Sequence, residues 1–345
     1  MVRAQINKLR RSLQAMALAM LAVCFAATSS PAQIVLKLAT TLPPSNPLVS
    51  QFFEPWAKRV NAAAGSEFKI QVINGPTFAN AVNVWNRTAD GIADIGWGIH
   101  GAVNLPFPKS TIISLPLLVK EGQLADAAAA MWGLYQSGLI ADEYKNVKPL
   151  ALVGTPVQGL SSRVPVGTLE DMRGLKVRAA DKTVSDIVSA LGASPISIPA
   201  TEVYQALGQG VVSASVAGWV LIGAFRLDEV VKEHLEGVPL GAPAGFVIMN
   251  PNSYSSLSPK GKEILDQFTG ERLSREIGAY FEDLAQTLRN KSKADPNHHF
   301  RSVDESEGRK WEKALQPVID KWIASAPDGD KVYSNFRAGI NRAGK

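Results

Sequence analysis

The chain has 345 residues, of which 46% are hydrophobic and 19% are charged, and its formal net charge is +5. This composition excludes a disordered protein, a collagen and a disulfide-rich scaffold, and the length favours two lobes or domains. No stretch reaches the roughly 20 apolar residues of a bilayer-spanning helix, which excludes a polytopic membrane protein.

The first 32 residues contain the three parts of a secretory signal peptide. Four basic residues stand within the first eleven positions, an apolar run follows over residues 13–27, and small residues continue to Ala32. This order predicts export to the periplasm with cleavage near Ala32. Removing the four basic residues lowers the net charge from +5 to +1, which leaves no electrostatic argument for a nucleic-acid partner. The single cysteine, Cys24, lies in the same segment, so the exported protein needs no disulfide.

Strands and helices alternate along the rest of the chain. Strands are predicted near 34–39, 68–73, 92–97, 150–153, 175–178 and 196–199. Helices are predicted near 48–64 and over 123–139, 181–191, 202–207, 262–293 and 305–324, and one further helix, after the strand at 68–73, is predicted to end at Asp90. Such alternation favours right-handed crossovers and sheets that contain parallel strands, with helices on both faces. The sequence therefore predicts an α/β fold in two lobes.

One glycine-rich segment matches a nucleotide-binding pattern but lacks its context. Residues 96–101 read Gly-Trp-Gly-Ile-His-Gly, which fits G-x-G-x-x-G and follows a predicted strand. A dinucleotide site also needs a helix directly afterwards, because the helix N-terminus binds the pyrophosphate. Pro106 and Pro108 interrupt that helix. We therefore expect no nucleotide cofactor.

The sequence contains no motif for phosphate binding, a nucleophilic serine or a zinc protease. Its histidines offer no metal site, since His100 and His234 are isolated and His298–His299 lies in a polar loop. We expect neither a metal nor an assembled catalytic centre. An enzyme is the less favoured alternative, because catalytic groups can assemble from distant parts of a chain.

An arginine stands at the end of one predicted strand. In residues 174–178, Leu175 and Val177 alternate as buried residues and Arg178 follows them. Ligands of open α/β sheets bind at the carboxyl ends of strands, and a guanidinium can form a bidentate pair with a carboxylate. An exported, two-lobed α/β protein of this kind is typical of periplasmic binding proteins, whose lobes close over a small ligand.

Six short segments form a pattern when they are taken in order. They are 90–95 (Asp-Gly-Ile-Ala-Asp-Ile), Leu115–Pro116, 169–178 (Leu-Glu-Asp-Met-Arg-Gly-Leu-Lys-Val-Arg), 191–195 (Leu-Gly-Ala-Ser-Pro), 202–207 (Glu-Val-Tyr-Gln-Ala-Leu) and 210–212 (Gly-Val-Val). Their order and spacing resemble the DctP-type solute-binding subunits of tripartite ATP-independent periplasmic (TRAP) transporters. The resemblance covers nearly all of the exported chain.

The resemblance implies a receptor, not an enzyme, that binds an organic acid and delivers it to the membrane permease subunits of a TRAP transporter. It implies a two-lobed periplasmic binding protein with mixed sheets, discontinuous lobes and long bracing helices, and no cofactor. We place lobe I at 33–155 and 244–283, and lobe II at 156–243 and 284–340. The carboxylate of the ligand is expected to pair with Arg178, which matches the family's arginine.

Two departures from the family pattern bear on the ligand. After residues 210–212, many members continue Asp-Gly-x-Glu-Asn-Pro, whereas this chain continues Ser-Ala-Ser-Val-Ala-Gly and reaches Trp219. Some relatives carry a second basic residue in the region where this chain has Gln158. One cation beside an aromatic side chain favours a hydrophobic or aromatic monocarboxylate. A receptor for a polar hydroxylated acid or a dicarboxylic acid is the alternative.

The predicted ligand-binding residues come from both lobes. They are Arg178, Trp219 and Gln158 in lobe II, and Trp97, Thr41 and Phe78 in lobe I. Thr41 is a candidate hydroxyl donor at the end of the first strand, with a competing role in the turn. The aromatic rings of Trp97 and Phe78 lie on segments that can face the cleft, and packing in the core is their competing role.

Overall fold

The computed structural model describes residues 33–343, except Asn104. Val35–Lys345 form one compact unit and Met1–Ile34 another, of which only Gln33 and Ile34 are described. The predicted signal peptide, with Cys24, therefore lies outside the described residues. In the part of the chain that the structure covers, no helix has both the length and the hydrophobicity that a membrane span requires.

Two mixed sheets form the framework of the protein. The strands are β1 (Ile34–Ala39), β2 (Phe68–Ile73), β3 (Ile95–Ile99), β4 (Lys148–Gly154), β5 (Gly159–Ser162), β6 (Lys176–Ala179), β7 (Ser194–Ser197), β8 (Ala214–Ala217), β9 (Glu233–Glu236), β10 (Ala244–Met249) and β11 (His299–Ser302). The first sheet has the order β2-β1-β3-β10-β4 and the second the order β11-β9-β5-β8-β6-β7. In the first sheet, β1 is parallel to β3 whereas β10 is antiparallel to β3 and β4. In the second, β6 is parallel to β7 and β8 whereas β5 is antiparallel to β8 and β9. The predicted α/β class with mixed sheets is confirmed.

Helices pack on both sheets. They are α1 (Glu54–Ala64), α2 (Val84–Ala89), α3 (Leu124–Gln136), α4 (Lys182–Ala190), α5 (Val203–Gly208), α6 (Trp219–Ala224), α7 (Pro251–Ser255), α8 (Pro259–Gln267), α9 (Glu271–Lys293), α10 (Glu305–Ser325) and α11 (Gly329–Ala343). A π-helical turn, Leu48–Phe53, precedes α1. The Asp181 carboxylate accepts a hydrogen bond from the N–H of Val184 and so caps α4 (3.0 Å), which explains where that helix begins.

The predicted single helix over 262–293 is wrong, because the chain forms two helices there. α8 ends at Gln267 and α9 begins at Glu271. Between them Gly270, the residue directly before α9, adopts φ 75°, a backbone conformation that favours glycine and lies outside the helical region. Its N–H donates to the carbonyl oxygen of Leu150 in β4 (2.6 Å). A tertiary contact thus fixes the break, and α9 then packs on α3, β4 and α6 as a long brace.

The glycine pattern at residues 96–101 serves close packing around β3. A Cβ at Gly96 would overlap the hydroxyl of Thr88 in α2. A Cβ at Gly98 would lie 2.6 Å from the ring of Phe246 in β10. Only glycine allows the helix and the ring to approach the strand this closely. The pattern therefore has a structural explanation that involves no nucleotide.

Two neighbouring segments connect the sheets. β4 leads to β5 through residues 155–158, and β9 leads back to β10 through residues 237–243. The N–H of Gln158 donates to the carbonyl oxygen of Gly241 (2.8 Å), and the N–H of Leu240 donates to that of Gln158 (2.9 Å). These bonds fix the backbone of Gln158 at the junction of the two sheets.

The two faces of the second sheet differ in character. One face buries apolar residues, which are Leu160, Val177, Ala214, Val216 and Leu235, against α4 and α10. Side chains alternate along a strand, so the residues between these point to the opposite face. A smaller apolar cluster from α5 and α6 covers part of that opposite face.

Candidate ligand site

A row of polar side chains crosses the second sheet on this opposite face. The pairing register places Arg178 of β6 beside Ser215 of β8, which in turn pairs with Ser161 of β5. Ser161 also pairs with His234 of β9. Paired residues share one face of a sheet, and each of these four has at most 4% of its surface exposed. Buried polar groups require partners, which makes this row the candidate site.

Arg178 is a buried cation. Its Nε donates to the carbonyl oxygen of Ile198, just beyond β7 (3.0 Å). Within residues 33–343, leaving Asn104 aside, no carboxylate forms an ion pair with its guanidinium. Burial lowers the pKa of Arg178, and the carboxylate of Asp181 acts in the opposite direction. Arginine stays protonated in proteins, so this position holds a positive charge that an anion would stabilise.

A cavity of about 320 Å³ lies against the same face of the sheet. Its walls include Ser161, His234, Gln158 and Trp219. Two of the predicted ligand residues, Gln158 and Trp219, therefore line one cavity. Arg178 is not a lining residue; it lies two strands from Ser161, which is roughly 10 Å at the usual strand spacing. A cavity of this volume suits a small organic molecule.

Trp219 forms an aromatic wall of the cavity. It is the first residue of α6, and its half-buried ring stacks on Phe300 at 5.6 Å between centroids. The ring also lies 4.8 Å from that of His234. A Cβ at Gly218 would lie 2.8 Å from the carbonyl oxygen of Pro156, so glycine allows the turn before α6 to pass the first connecting segment. The indole offers an apolar surface to a ligand ring.

The prediction that His234 is isolated is wrong, because it forms a buried pair with His298. The rings stack at 5.1 Å between centroids, and His234 Nε2 lies 2.8 Å from His298 Nδ1. His234 Nδ1 lies 2.9 Å from Ser161 Oγ. On the other side of the pair, Lys232 Nζ lies 3.1 Å from His298 Nε2. Among the residues that the structure describes, no three side chains of the metal-binding types cluster.

Burial keeps both histidines of this pair neutral. The pKa of His234 is lowered to about 3, chiefly by burial and also by the neighbouring His298 and Lys232. The pKa of His298 is also lowered, by burial and by Lys232, against the opposing effect of Asp295 and Asp228. At neutral pH each ring therefore has one protonated nitrogen and one that accepts a hydrogen bond.

Acid is expected to destabilise the protein in part through His234. Its pKa in the folded state lies below the value of about 6.5 in the unfolded chain, so the unfolded chain binds the extra proton as the pH falls. The stabilisation is complete above pH 6.5 and is lost toward pH 3, at up to about 1.4 kcal/mol per pH unit. We expect His234→Gln to show a shallower fall in the free energy of unfolding between pH 6.5 and 5, measured by urea denaturation and tryptophan fluorescence.

Two other groups change the stability in acid in the direction opposite to His234, so the slope of the variant has to be compared with that of the wild type. These groups are Glu143 and Glu282. Burial raises the pKa of both carboxyl groups, so they favour the folded state in acid. Their effect is common to the wild type and the variant. The control is His299→Gln, which replaces an exposed histidine and should keep the wild-type slope. Equal slopes for the wild type and His234→Gln would contradict the prediction.

The three predicted ligand residues of lobe I do not line this cavity. Trp97 has 3% of its surface exposed and packs between Phe53 and Phe281, at 5.6 and 6.0 Å between ring centroids. Thr41 adopts φ 59° in the turn after β1, and Phe78 is half-buried in the loop before α2. Their contact with a ligand stays a prediction.

Comparison with known proteins identifies the family. The DctP model, described as bacterial extracellular solute-binding protein family 7, matches residues 38–325. The outer membrane transporter protein TsaT of Comamonas testosteroni is 23% identical over 88% of this chain and 90% of its own length. The matched span contains all six segments that carried the resemblance.

Solved structures share the fold. One is a TRAP solute-binding protein from an unidentified microbe of a marine metagenome, which is specific for aromatic acid ligands and was solved with m-hydroxyphenylacetate. It is 22% identical to this chain, with a TM-score of 0.83, and the match covers 91% of this chain and 100% of the other. Another is a TRAP solute-binding protein of Rhodoferax ferrireducens, solved with copurified benzoate. It is 22% identical to this chain, with a TM-score of 0.81, and the match covers 90% of this chain and 98% of the other. These likenesses show a shared two-lobed architecture. The chain thus belongs to the DctP family, the bacterial extracellular solute-binding proteins of family 7, as its motifs predicted.

Proposed function

We propose that this protein is the periplasmic receptor of a TRAP transporter and that its ligand is a hydrophobic or aromatic monocarboxylate. One observation carries the proposal: Arg178 is 3% exposed and pairs with no carboxylate among the described residues. An unpaired buried cation is unfavourable, whereas a ligand carboxylate supplies the opposite charge in the bidentate geometry that a guanidinium prefers. The ligand carboxylate completes the site.

An aromatic or hydrophobic body for the ligand is supported by the cavity wall. Trp219 contributes an indole face to the wall. A second cation near position 158 would favour a dicarboxylate, but this chain has the neutral Gln158 there. Two similar structures contain m-hydroxyphenylacetate and benzoate, which supports the same class of ligand. A monocarboxylate with an apolar ring is therefore the ligand class that we propose.

In this proposal the two lobes close over the acid. Lobe I comprises 33–155 and 244–283, and lobe II comprises 156–243 and 284–340. The acid stabilises the closed state because it contacts groups of both lobes only there. The closed receptor then delivers the acid to the membrane permease subunits of the transporter. The role is capture and release, with no chemical change in the acid.

A thermal-shift panel tests the ligand class. We expect benzoate and mandelate to raise the melting temperature, and malate, galacturonate and benzyl alcohol to leave it unchanged. A ligand at a hundred times its Kd stabilises the native state by about 2.7 kcal/mol, which corresponds to several degrees in a protein of this size. Benzyl alcohol is the control for ring binding without a carboxylate.

The panel separates the alternatives. Shifts confined to malate or galacturonate would contradict the aromatic monocarboxylate and favour the polar acid. A shift with benzyl alcohol equal to that with benzoate would contradict the role of the carboxylate. Recovery of a chemically altered acid after incubation would favour an enzyme instead of a receptor.

A further inference from the structure

The polar contacts beside the cavity form a chain of hydrogen bonds whose direction is fixed at one end. Lys232 Nζ lies 2.6 Å from the carbonyl oxygen of Asp228 and 3.1 Å from His298 Nε2. An ammonium group has donors and no acceptor, so His298 Nε2 must accept. His298 is neutral, and its one proton is therefore on Nδ1.

The same reasoning continues along the chain. His298 Nδ1–H donates to His234 Nε2 (2.8 Å), which leaves the single proton of His234 on Nδ1. That N–H donates to Ser161 Oγ (2.9 Å). Since Ser161 Oγ accepts this bond, its own hydrogen is available to another acceptor. The described part of the chain offers it none, and Ser161 lines the cavity.

We propose that Ser161 is a fixed hydrogen-bond donor to the ligand, and that the bound acid carries a second oxygen, beyond its carboxylate, that accepts this bond. The proposal rests on the proposed function, because it assigns a further feature of the same ligand. The ligand class is an aromatic acid with a hydroxyl, carbonyl or ether oxygen on its ring or side chain. His234, His298 and Lys232 are positioning residues that hold Ser161 in the donor role.

The second oxygen is distinct from the carboxylate because of where the two groups lie in the sheet. Arg178 Nε donates to the carbonyl oxygen of Ile198, on the β7 side of β6. Ser161 lies two strands away on the other side of β6, roughly 10 Å in the plane of the sheet. One carboxylate group is too small to contact both positions, whereas a ring with substituents at opposite ends has the required length.

Binding to matched pairs of acids tests the proposal. Calorimetry would compare 3-hydroxybenzoate with 3-methylbenzoate, and 4-hydroxybenzoate with 4-methylbenzoate. The two acids of a pair have a similar shape and the same carboxylate, but the methyl group cannot accept a hydrogen bond. We expect the wild type to prefer the hydroxyl form of at least one pair by about tenfold. Ser161→Ala should reduce that ratio to near one, with the affinity for the methylbenzoate unchanged.

Ser162→Ala is the matched control. Ser162 is the next residue of β5, it is equally buried, and its Oγ donates to the carbonyl oxygen of Val164 (2.5 Å). Because side chains alternate along a strand, Ser162 points to the face opposite Ser161 and the cavity. This variant should keep the wild-type ratio. A ratio near one in the wild type, a ratio unchanged in Ser161→Ala, or an equal loss for both acids of a pair would overturn the proposal. If no acid of the panel binds the wild type, the proposed function itself fails.

A second measurement reads the hydrogen-bond chain without any ligand. Long-range ¹H–¹⁵N correlation spectra distinguish protonated from bare imidazole nitrogens, and His234→Gln and His298→Gln assign the signals. We expect both rings to be neutral and protonated on Nδ1. A proton on Nε2 of His234 would overturn the donor role of Ser161, since Ser161 would then donate to the ring. His298→Leu, which can neither donate to His234 nor accept from Lys232, should also lower the hydroxyl preference, which a merely structural role of His298 would leave unchanged.

Discussion

Replacing Arg178 by alanine is expected to abolish acid binding while the protein stays folded. Each charge-assisted hydrogen bond from a guanidinium contributes about 1.5–3 kcal/mol, so the loss of a bidentate pair lowers the affinity by a hundredfold or more. The stability of the unliganded protein should be unchanged or higher, because the variant removes a buried cation that has no ion-pair partner among the described residues. Calorimetry with the best acid of the panel, and thermal unfolding without it, measure the two effects.

Two further variants make this test specific. Arg173→Ala removes an exposed arginine of the same sequence motif, one that pairs with Glu170 at the surface (3.0 Å), and should bind like the wild type. Arg178→Lys keeps the charge but loses the planar fork, so an intermediate affinity is expected. Full affinity in Arg178→Ala would contradict the proposed pair between Arg178 and the ligand carboxylate. A large loss of unliganded stability would show that Arg178 mainly supports the fold.

Gly241→Ala is expected to destabilise the protein by about 3–5 kcal/mol. Gly241 lies in the segment that returns from β9 to β10, with φ 95°. An added Cβ would overlap the carbonyl oxygen of Ser114 and lie 2.8 Å from its carbonyl carbon. Both atoms belong to the backbone, so no flexible side chain can move aside. The carbonyl of Gly241 also accepts from the N–H of Gln158, so the cavity wall should shift and the acid should bind more weakly.

Gly122→Ala separates the clash from the backbone strain. Gly122 has a similar φ of 84°, but among the described residues, its two chain neighbours aside, no atom lies within 4 Å of an added Cβ. It should lose only the 1–2 kcal/mol that a side chain costs in the left-handed region. Urea unfolding of both variants measures the difference. Equal losses would mean that the contact between Gly241 and Ser114 contributes nothing beyond the local strain.

Local patterns in the sequence predicted the α/β class, several of the elements and the family. β1 and β2 occur at the predicted positions, and the cap at Asp181 starts α4 where a polar residue before an apolar helix indicates a start. Two alternating apolar residues in a short strand precede Arg178 and indicate its place at the strand end. Each of these signals lies within a few residues, so one segment read by itself contains it.

The middle strands of the second sheet were missed for the opposite reason. β5, β8 and β9 are four residues long and rich in serine, alanine and charged residues, which have little intrinsic preference for strands. Their backbone groups are satisfied by neighbouring strands, and pairing with those neighbours makes them strands. The serines of Ser213–Ala217 depart from a family motif, although one of them, Ser215, belongs to the polar row.

The sequence by itself determined the class of the fold and the family, because short motifs and periodic patterns carry them, and it predicted Arg178 as the anchor of the ligand. The tertiary structure alone decided the break before α9 and the chain from Lys232 to Ser161. His234 stands 64 residues from His298 and 73 from Ser161 along the sequence. Such groups meet only after strand register and sheet order are set, and no local pattern encodes a hydrogen bond between residues that distant.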